Sequence, residues 1–235
     1  AGLIFGVYAI NFLWAPLVDK LKIPILSKKV GHRKSWIILM QLLILLCLII
    51  WSFLDPTRNL WAVIFVGLII AISSATQDIT IDALRIEQIE KHEKSSIAAG
   101  ASISVIGWWT GYKIGGVISL VSAQFFQDLG LDNYWQYSFL LVSIIIIFCS
   151  ICVLFIPEKN FKIRFAQQKL ADQKILSRLG PTNKFKSIIA WIIGAIISPL
   201  SSFFKKNSMN VAVGILGFIF LFKIGEAFLG RMSII

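Results

Sequence analysis

The chain is 235 residues long, 57% hydrophobic and only 15% charged, with 23 Lys+Arg against 12 Asp+Glu for a formal net charge of +11 and a mean hydropathy of +0.80. Soluble domains run at roughly 45–50% apolar and about 25% charged, so this balance excludes an ordinary soluble enzyme, a disordered tail and a disulfide-built secreted module. The basic residues punctuate long apolar runs instead of forming one patch, which reads as orientation signals on a membrane protein and not as a nucleic-acid footprint.

A helix needs about 20 apolar residues to cross about 30 Å of hydrocarbon. Six runs qualify in chain order. Residues 2–18 form a slightly short run interrupted by Asn11. Residues 37–54 and 60–83 follow, then 97–126, long enough to tilt or project from the bilayer. The last two are 135–156 and 211–235, the latter polar beyond Phe222. None alternates with period two as a barrel strand must, and helices satisfy their own backbone groups. The expected class is therefore an all-α integral membrane protein. Cys47, Cys149 and Cys152 all sit inside apolar runs and read as lipid-facing or core fillers.

The connections alternate in charge. Residues 19–36 carry six basic side chains: Lys20, Lys22, Lys28, Lys29, Arg33 and Lys34. Residues 84–96 carry three and 158–210 carry ten, whereas 55–59 carry one, Arg58, and 127–134 none. The positive-inside rule places the basic loops and the long connection in the cytoplasm, so the first run enters from outside. With no Met and no basic stretch ahead of it, that run is expected to follow an upstream helix, and the chain to be part of a longer polytopic protein.

Residues 1–157 thus read as an incomplete six-helix bundle with five spans, 158–209 as a basic cytoplasmic linker, and 210–235 as the first helix of a second bundle. Within the linker, 187–200 is apolar but too short to span comfortably and is flanked by lysines. It reads as a helix lying in the interface, with a re-entrant or spanning segment as the rival. Two six-helix bundles joined by a long loop are a transporter architecture; a seven-helix receptor leaves the basic loop after the first run unexplained.

Ionisable groups inside spans are costly and face a bundle interior or a water cavity. Asp78, Asp82 and Arg85 share one helical face at the end of the third run, beside Gln77 and the hydroxyls of Ser73, Ser74, Thr76 and Thr80. Burial disfavours a charged carboxylate at Asp78 while Arg85 favours it. That competition suits a proton-coupling group; a static gate pair and simple interfacial solvation are the other readings. Lys113 lies deep in the fourth run among Trp108, Trp109 and Tyr112. It reads as a water-facing cation that attracts an anionic substrate, with flat aromatic surfaces beside it, or as a lysine that snorkels. Gly107, Gly111 and Gly115 recur every four residues and allow close helix approach. Lys223 and Glu226, three apart in the last run near Arg231, read as a cavity-facing pair or as a helix leaving the membrane. His32 and His92 fall in basic loops and are expected to be solvated. No nucleophile–base set, metal-ligand spacing or phosphate loop is present, so neither an enzyme nor a cofactor is expected.

Several motifs together resemble one family. Phe12-Leu13-Trp14-Ala15-Pro16-Leu17-Val18-Asp19 and Gly31-His32-Arg33-Lys34-Ser35-Trp36 are similar to the loop between helices two and three of major facilitator transporters. More narrowly they resemble the AmpG muropeptide permeases and the related acetyl-CoA transporters. Ala75-Thr76-Gln77-Asp78-Ile79-Thr80-Ile81-Asp82-Ala83, with Arg85 and Glu87, resembles the family's end of helix four, and Gly111-Tyr112-Lys113 its helix-five element. Pro199 to Lys206 and Phe222-Lys223-Ile224-Gly225-Glu226-Ala227 resemble the start of helix seven. Glu226 stands where Asp is expected and His32 where Arg is usual.

The resemblance implies an incomplete major-facilitator two-bundle transporter equivalent to helices two to seven. It implies proton-coupled import of anhydromuropeptides across the bacterial inner membrane for cell-wall recycling, linked to β-lactamase induction. By the same analogy Asp19 and Arg33, with Arg85, form a cytoplasmic gate. Asp78, Asp82, Lys113, Gln77, Glu226 and Lys223 are the candidates for substrate contact or proton coupling. The expected partners are an anionic glycopeptide, protons and the bilayer, with no nucleic acid. A transporter of another anion such as acetyl-CoA, and a truncated remnant that does not transport, are the competing readings.

Overall fold

The computed structural model describes residues 6–8, 10–54, 58–89, 94–158, 170, 201, 203–204 and 207–232, with side chains omitted at 94, 219–220, 223–224 and 226–232. Among these residues all regular structure is helical. Most of the expected linker, including 187–200, and His92 lie outside the described residues.

The chain divides into two compact units, residues 1–22 with 160–235, and residues 23–159. In the first unit the run at 2–18 is not one rod. Helical backbone at 6–8 and 10 passes into a 3-10 turn at Asn11–Leu13 and then the short helix α1, Ala15–Lys20, with Pro16 in its first turn. Asn11, flagged in the sequence as an interruption, opens that turn. Pro16 restarts the helix because its missing N–H falls where no intrahelical acceptor exists. The last helix of the chain, α7, spans Met209–Met232.

The second unit holds α2 (Leu26–Lys29), α3 (His32–Ser52), α4 (Leu60–Gln88), α5 (Lys94–Asp128) and α6 (Tyr134–Leu154). Helices α3, α4 and α6 are long and apolar enough to cross a membrane. Their 21, 29 and 21 residues correspond to lengths of about 32, 43 and 32 Å. The fourth expected span, α5, has 35 residues, but Gly, Ser, Trp, Tyr and Lys dilute its apolar content and it does not meet the same standard. In α7 the shorter stretch Met209–Phe218 is apolar.

Within this unit α3 packs between α4 and α6, and α6 carries α5 on its other flank. At one end Trp51 of α3 packs at a tilt against Phe139 of α6, with ring centroids 5.8 Å apart, and donates from Nε1 to the Val63 carbonyl of α4 at 3.1 Å. Gly67 admits that indole: a Cβ there would stand 3.0 Å from the ring. Helices α5 and α6 join through Ser122 and Ser138, whose hydroxyls lie 2.8 Å apart, while Ser138 also donates to the Ser119 carbonyl. Gly130, at φ +75°, ends α5. Its N–H donates to Gln127 O and that of Leu131 to Phe126 O, the paired bonds of a Schellman stop that needs a left-handed residue.

Candidate functional site

The two ends of this unit differ. At the end bearing Lys28, Lys29, Arg33 and Lys34, here the basic end, α3 starts without a capping side chain; Gly31 occupies the cap position. The first four N–H groups at a helix start have no intrahelical acceptor. Glu158, just beyond α6, supplies one. His32 N–H donates to its Oε1 at 2.9 Å, Arg33 N–H to Oε1 and Oε2 at 3.1 and 3.2 Å, and Lys34 N–H to Oε2 at 3.3 Å. A carboxylate there also meets the positive end of the helix dipole. Gly31 is at φ +102°, and a Cβ on it would collide with the Glu158 carboxylate. Only glycine meets both demands.

The side chain of Arg33 turns to α4. Its Nε and Nη2 both donate to Glu87 Oε1, at 3.1 and 3.0 Å, and Arg33 is only 4% exposed. Gln88 Nε2 donates to the Pro157 carbonyl at 2.5 Å and Lys34 Nζ to that of Leu154 at 3.4 Å. One polar clasp therefore joins α3, α4 and the tail of α6. It extends to α5: Asp82 and Arg85 pair at 3.0 Å, Ser104 Oγ donates to Asp82 Oδ1 at 3.3 Å, and Arg85 Nη1 donates to the Gly100 carbonyl at 2.6 Å. Bare Gly100 makes room, since a Cβ there would sit 3.0 Å from Ile89 Cδ1.

Several expected site residues thus come together and others stay apart. Asp82 and Arg85 pair as their three-residue spacing predicts. Gln77 and Asp78 lie half-buried about one turn further along α4. The neighbouring hydroxyls are spent within the helix: Ser73, Thr76 and Thr80 donate to the carbonyls of Ile69, Ile72 and Thr76. Lys113 is exposed on α5. From the Ser104–Asp82 register, Lys113 stands about 13 Å along the axis and Asp78 about 6 Å. The two are therefore about 7 Å apart in depth. Beside Lys113, Trp108 stacks on Tyr112 at 5.8 Å and 5° and meets Trp109 edge-on at 5.1 Å. No carboxylate pairs with Lys113 among the described residues, and a Cβ on Gly107, Gly111 or Gly115 would meet nothing within 4 Å. Asp19 lies in α1 of the first unit, and Lys223, Glu226 and Arg231 lie on the backbone of α7.

His32 departs from expectation. It is 2% exposed, not solvated, because the turn at Gly31 and the Glu158 bonds draw the start of α3 into the unit. Sequence reading also missed Glu158, which it assigned to the linker, and gave Glu87 no role of its own. The available signal was the uncapped Gly31-His32 helix start, which calls for an acceptor from elsewhere.

The Major Facilitator Superfamily matches residues 1–233. The chain belongs to that superfamily. Among curated relatives it is 34% identical over 226 residues to the Putative transporter AmpG 4 of Rickettsia felis, covering 96% of this chain and 47% of the relative. It is 31% identical over 228 residues to the Putative transporter AmpG 3 of Rickettsia prowazekii, covering 97% and 48%. It is 30% identical over 226 residues to the Anhydromuropeptide permease of Escherichia coli K12, covering 96% and 38%. The chain spans about half the length, or less, of these relatives. No solved structure matches it. The chain is thus a segment of a Major Facilitator Superfamily protein.

Proposed function

We propose that this chain forms part of a secondary active transporter that imports anhydromuropeptides with protons across the bacterial inner membrane. The observation that carries this reading is the exposed cluster on α5. A stacked Trp108–Tyr112 pair with Trp109 offers flat surfaces to sugar rings, and Lys113 beside it offers a cation to a carboxylate. The similarity to the Escherichia coli permease supports the choice of substrate.

In this reading the basic loops face the cytoplasm. Asp78 and Gln77, half-buried between the paired Asp82–Arg85 and the aromatic cluster, serve coupling. Asp19, Arg33 and Arg85 belong to the cytoplasmic gate, and Arg33 is held by Glu87 in the described conformation. Lys223 and Glu226 of α7 contribute from the other bundle.

Uptake of labelled anhydromuropeptide into vesicles carrying the protein of the whole reading frame tests this. Asp78→Asn is expected to flatten the dependence of uptake on an imposed pH gradient; an unchanged dependence removes Asp78 from coupling. A CoA thioester is also an anion with a flat ring, so unlabelled acetyl-CoA is the competitor of choice. Competition by acetyl-CoA and none by muropeptide would reassign the substrate.

A further inference from the structure

The segment between Lys22 and α3 carries a feature that the transport reading does not use. Ile25 has φ +68° and ψ −56°, and the Leu26 N–H donates to the Pro24 carbonyl at 2.7 Å. These define a three-residue γ-turn of the rare, strained hand, in a β-branched residue for which positive φ is a true outlier. Backbone in such a state persists only where its surroundings fix it. Here Ser27 does so: its hydroxyl accepts from Ile23 N–H at 3.0 Å and lies 2.9 Å from Ser35 Oγ, which donates to the His32 carbonyl at 2.7 Å. Ser27 and Ser35 are buried against the start of α3. The anchored turn thrusts Ile25 outward, 71% exposed. The next turn presents Lys28 and Lys29, both exposed, with no carboxylate partner among the described residues.

A strained isoleucine held out into water carries two unfavourable terms, one steric and one of hydration; the Ser27 bonds hold the backbone in place, but among the described residues nothing covers the side chain. Both make sense if the tip is not in water. The turn adjoins the end of α3, a membrane-length helix, so it lies at headgroup level. We infer that residues 24–29 dock on the leaflet at the basic end, with Ile25 inserted below the headgroups and Lys28 and Lys29 on the phosphates of anionic lipids. An apolar tip backed by two cations matches such a surface in both polarity and charge. The inference holds whichever face of the membrane that end occupies and is independent of the substrate.

An environment-sensitive fluorophore on Ile25→Cys, in the chain reconstituted into phosphatidylethanolamine vesicles with or without phosphatidylglycerol, tests it, with Leu129→Cys as reference. Lipids bearing a nitroxide just below the headgroup are expected to quench position 25 strongly and a water-soluble quencher to reach it poorly, more so with phosphatidylglycerol present. Each lysine near an anionic surface is worth about a fivefold preference. Lys28→Gln with Lys29→Gln should therefore lower retention of phosphatidylglycerol over phosphatidylethanolamine, counted by native mass spectrometry, by about 25-fold. Ile25→Gly accepts the left-handed backbone, so it is expected to fold and to melt higher in detergent while losing the phosphatidylglycerol-dependent gain in melting temperature. Free access of the aqueous quencher, shielding from both quenchers by another protein surface, or unchanged lipid retention in the double variant would each overturn the proposal.

Discussion

Two regions of the 23–159 unit use polar residues in opposite ways. Where α3, α4 and the tail of α6 meet at the basic end, the charged groups of the clasp are paired or capped: Glu158 on the start of α3, Arg33 on Glu87, Arg85 on Asp82 and Gly100. Midway along α5, Trp108, Trp109, Tyr112 and Lys113 stand exposed, and the glycine row beside them faces open space. A charge with its partners in place holds helices; a cation and aromatic rings without them are available to something else. The difference divides the unit into a part that keeps four helices together and a part that, in the proposed reading, meets the substrate.

The largest effect should come from the clasp. Gly31→Ala both strains a left-handed backbone and strikes the Glu158 carboxylate, and is expected to destabilise the unit by about 2–4 kcal/mol, read as thermal unfolding in detergent. Adding Glu158→Ala should recover the steric share and leave the backbone share. A variant as stable as the parent would remove the clasp from the account. Next, Arg33→Ala removes the guanidinium from Glu87 and is expected to cost about 1–3 kcal/mol, the pair being largely buried on the arginine side. A double-mutant cycle with Glu87→Gln should return a coupling of about 1 kcal/mol; additivity would mean the two side chains do not support each other.

Much of this division was legible in the sequence. Apolar run length marked α3, α4 and α6, since a membrane-length helix leaves a continuous signature. The i,i+3 spacing foretold the Asp82–Arg85 pair, because helix geometry alone brings those side chains together. What distance in sequence hides was not legible. Glu158 reaches a helix start 125 residues away, and no local pattern encodes that bond. The burial of His32 follows from the same contact. The left-handed Ile25 contradicts its residue type, so no propensity announces it. The run 2–18 was read as one span, and Asn11 and Pro16 break it because a 3-10 turn and a restarted helix satisfy those residues better than one rod.

The smallest effect carries the opposite sign. Gly111→Ala adds a methyl group where nothing stands within 4 Å and improves helix propensity, so this chain should gain about 0.5–1 kcal/mol. Destabilisation would show that another surface covers the α5 face and that its openness is no guide to substrate access.

The division of labour itself is tested most directly by Lys113→Met, measured for uptake of labelled anhydromuropeptide and for thermal unfolding on the same preparation of the protein encoded by the whole reading frame. The account predicts uptake at least about tenfold lower, equivalent to the loss of about 1.4 kcal/mol, with unfolding unchanged within about 0.5 kcal/mol. Undiminished uptake, or a loss of uptake matched by a loss of stability, would contradict it.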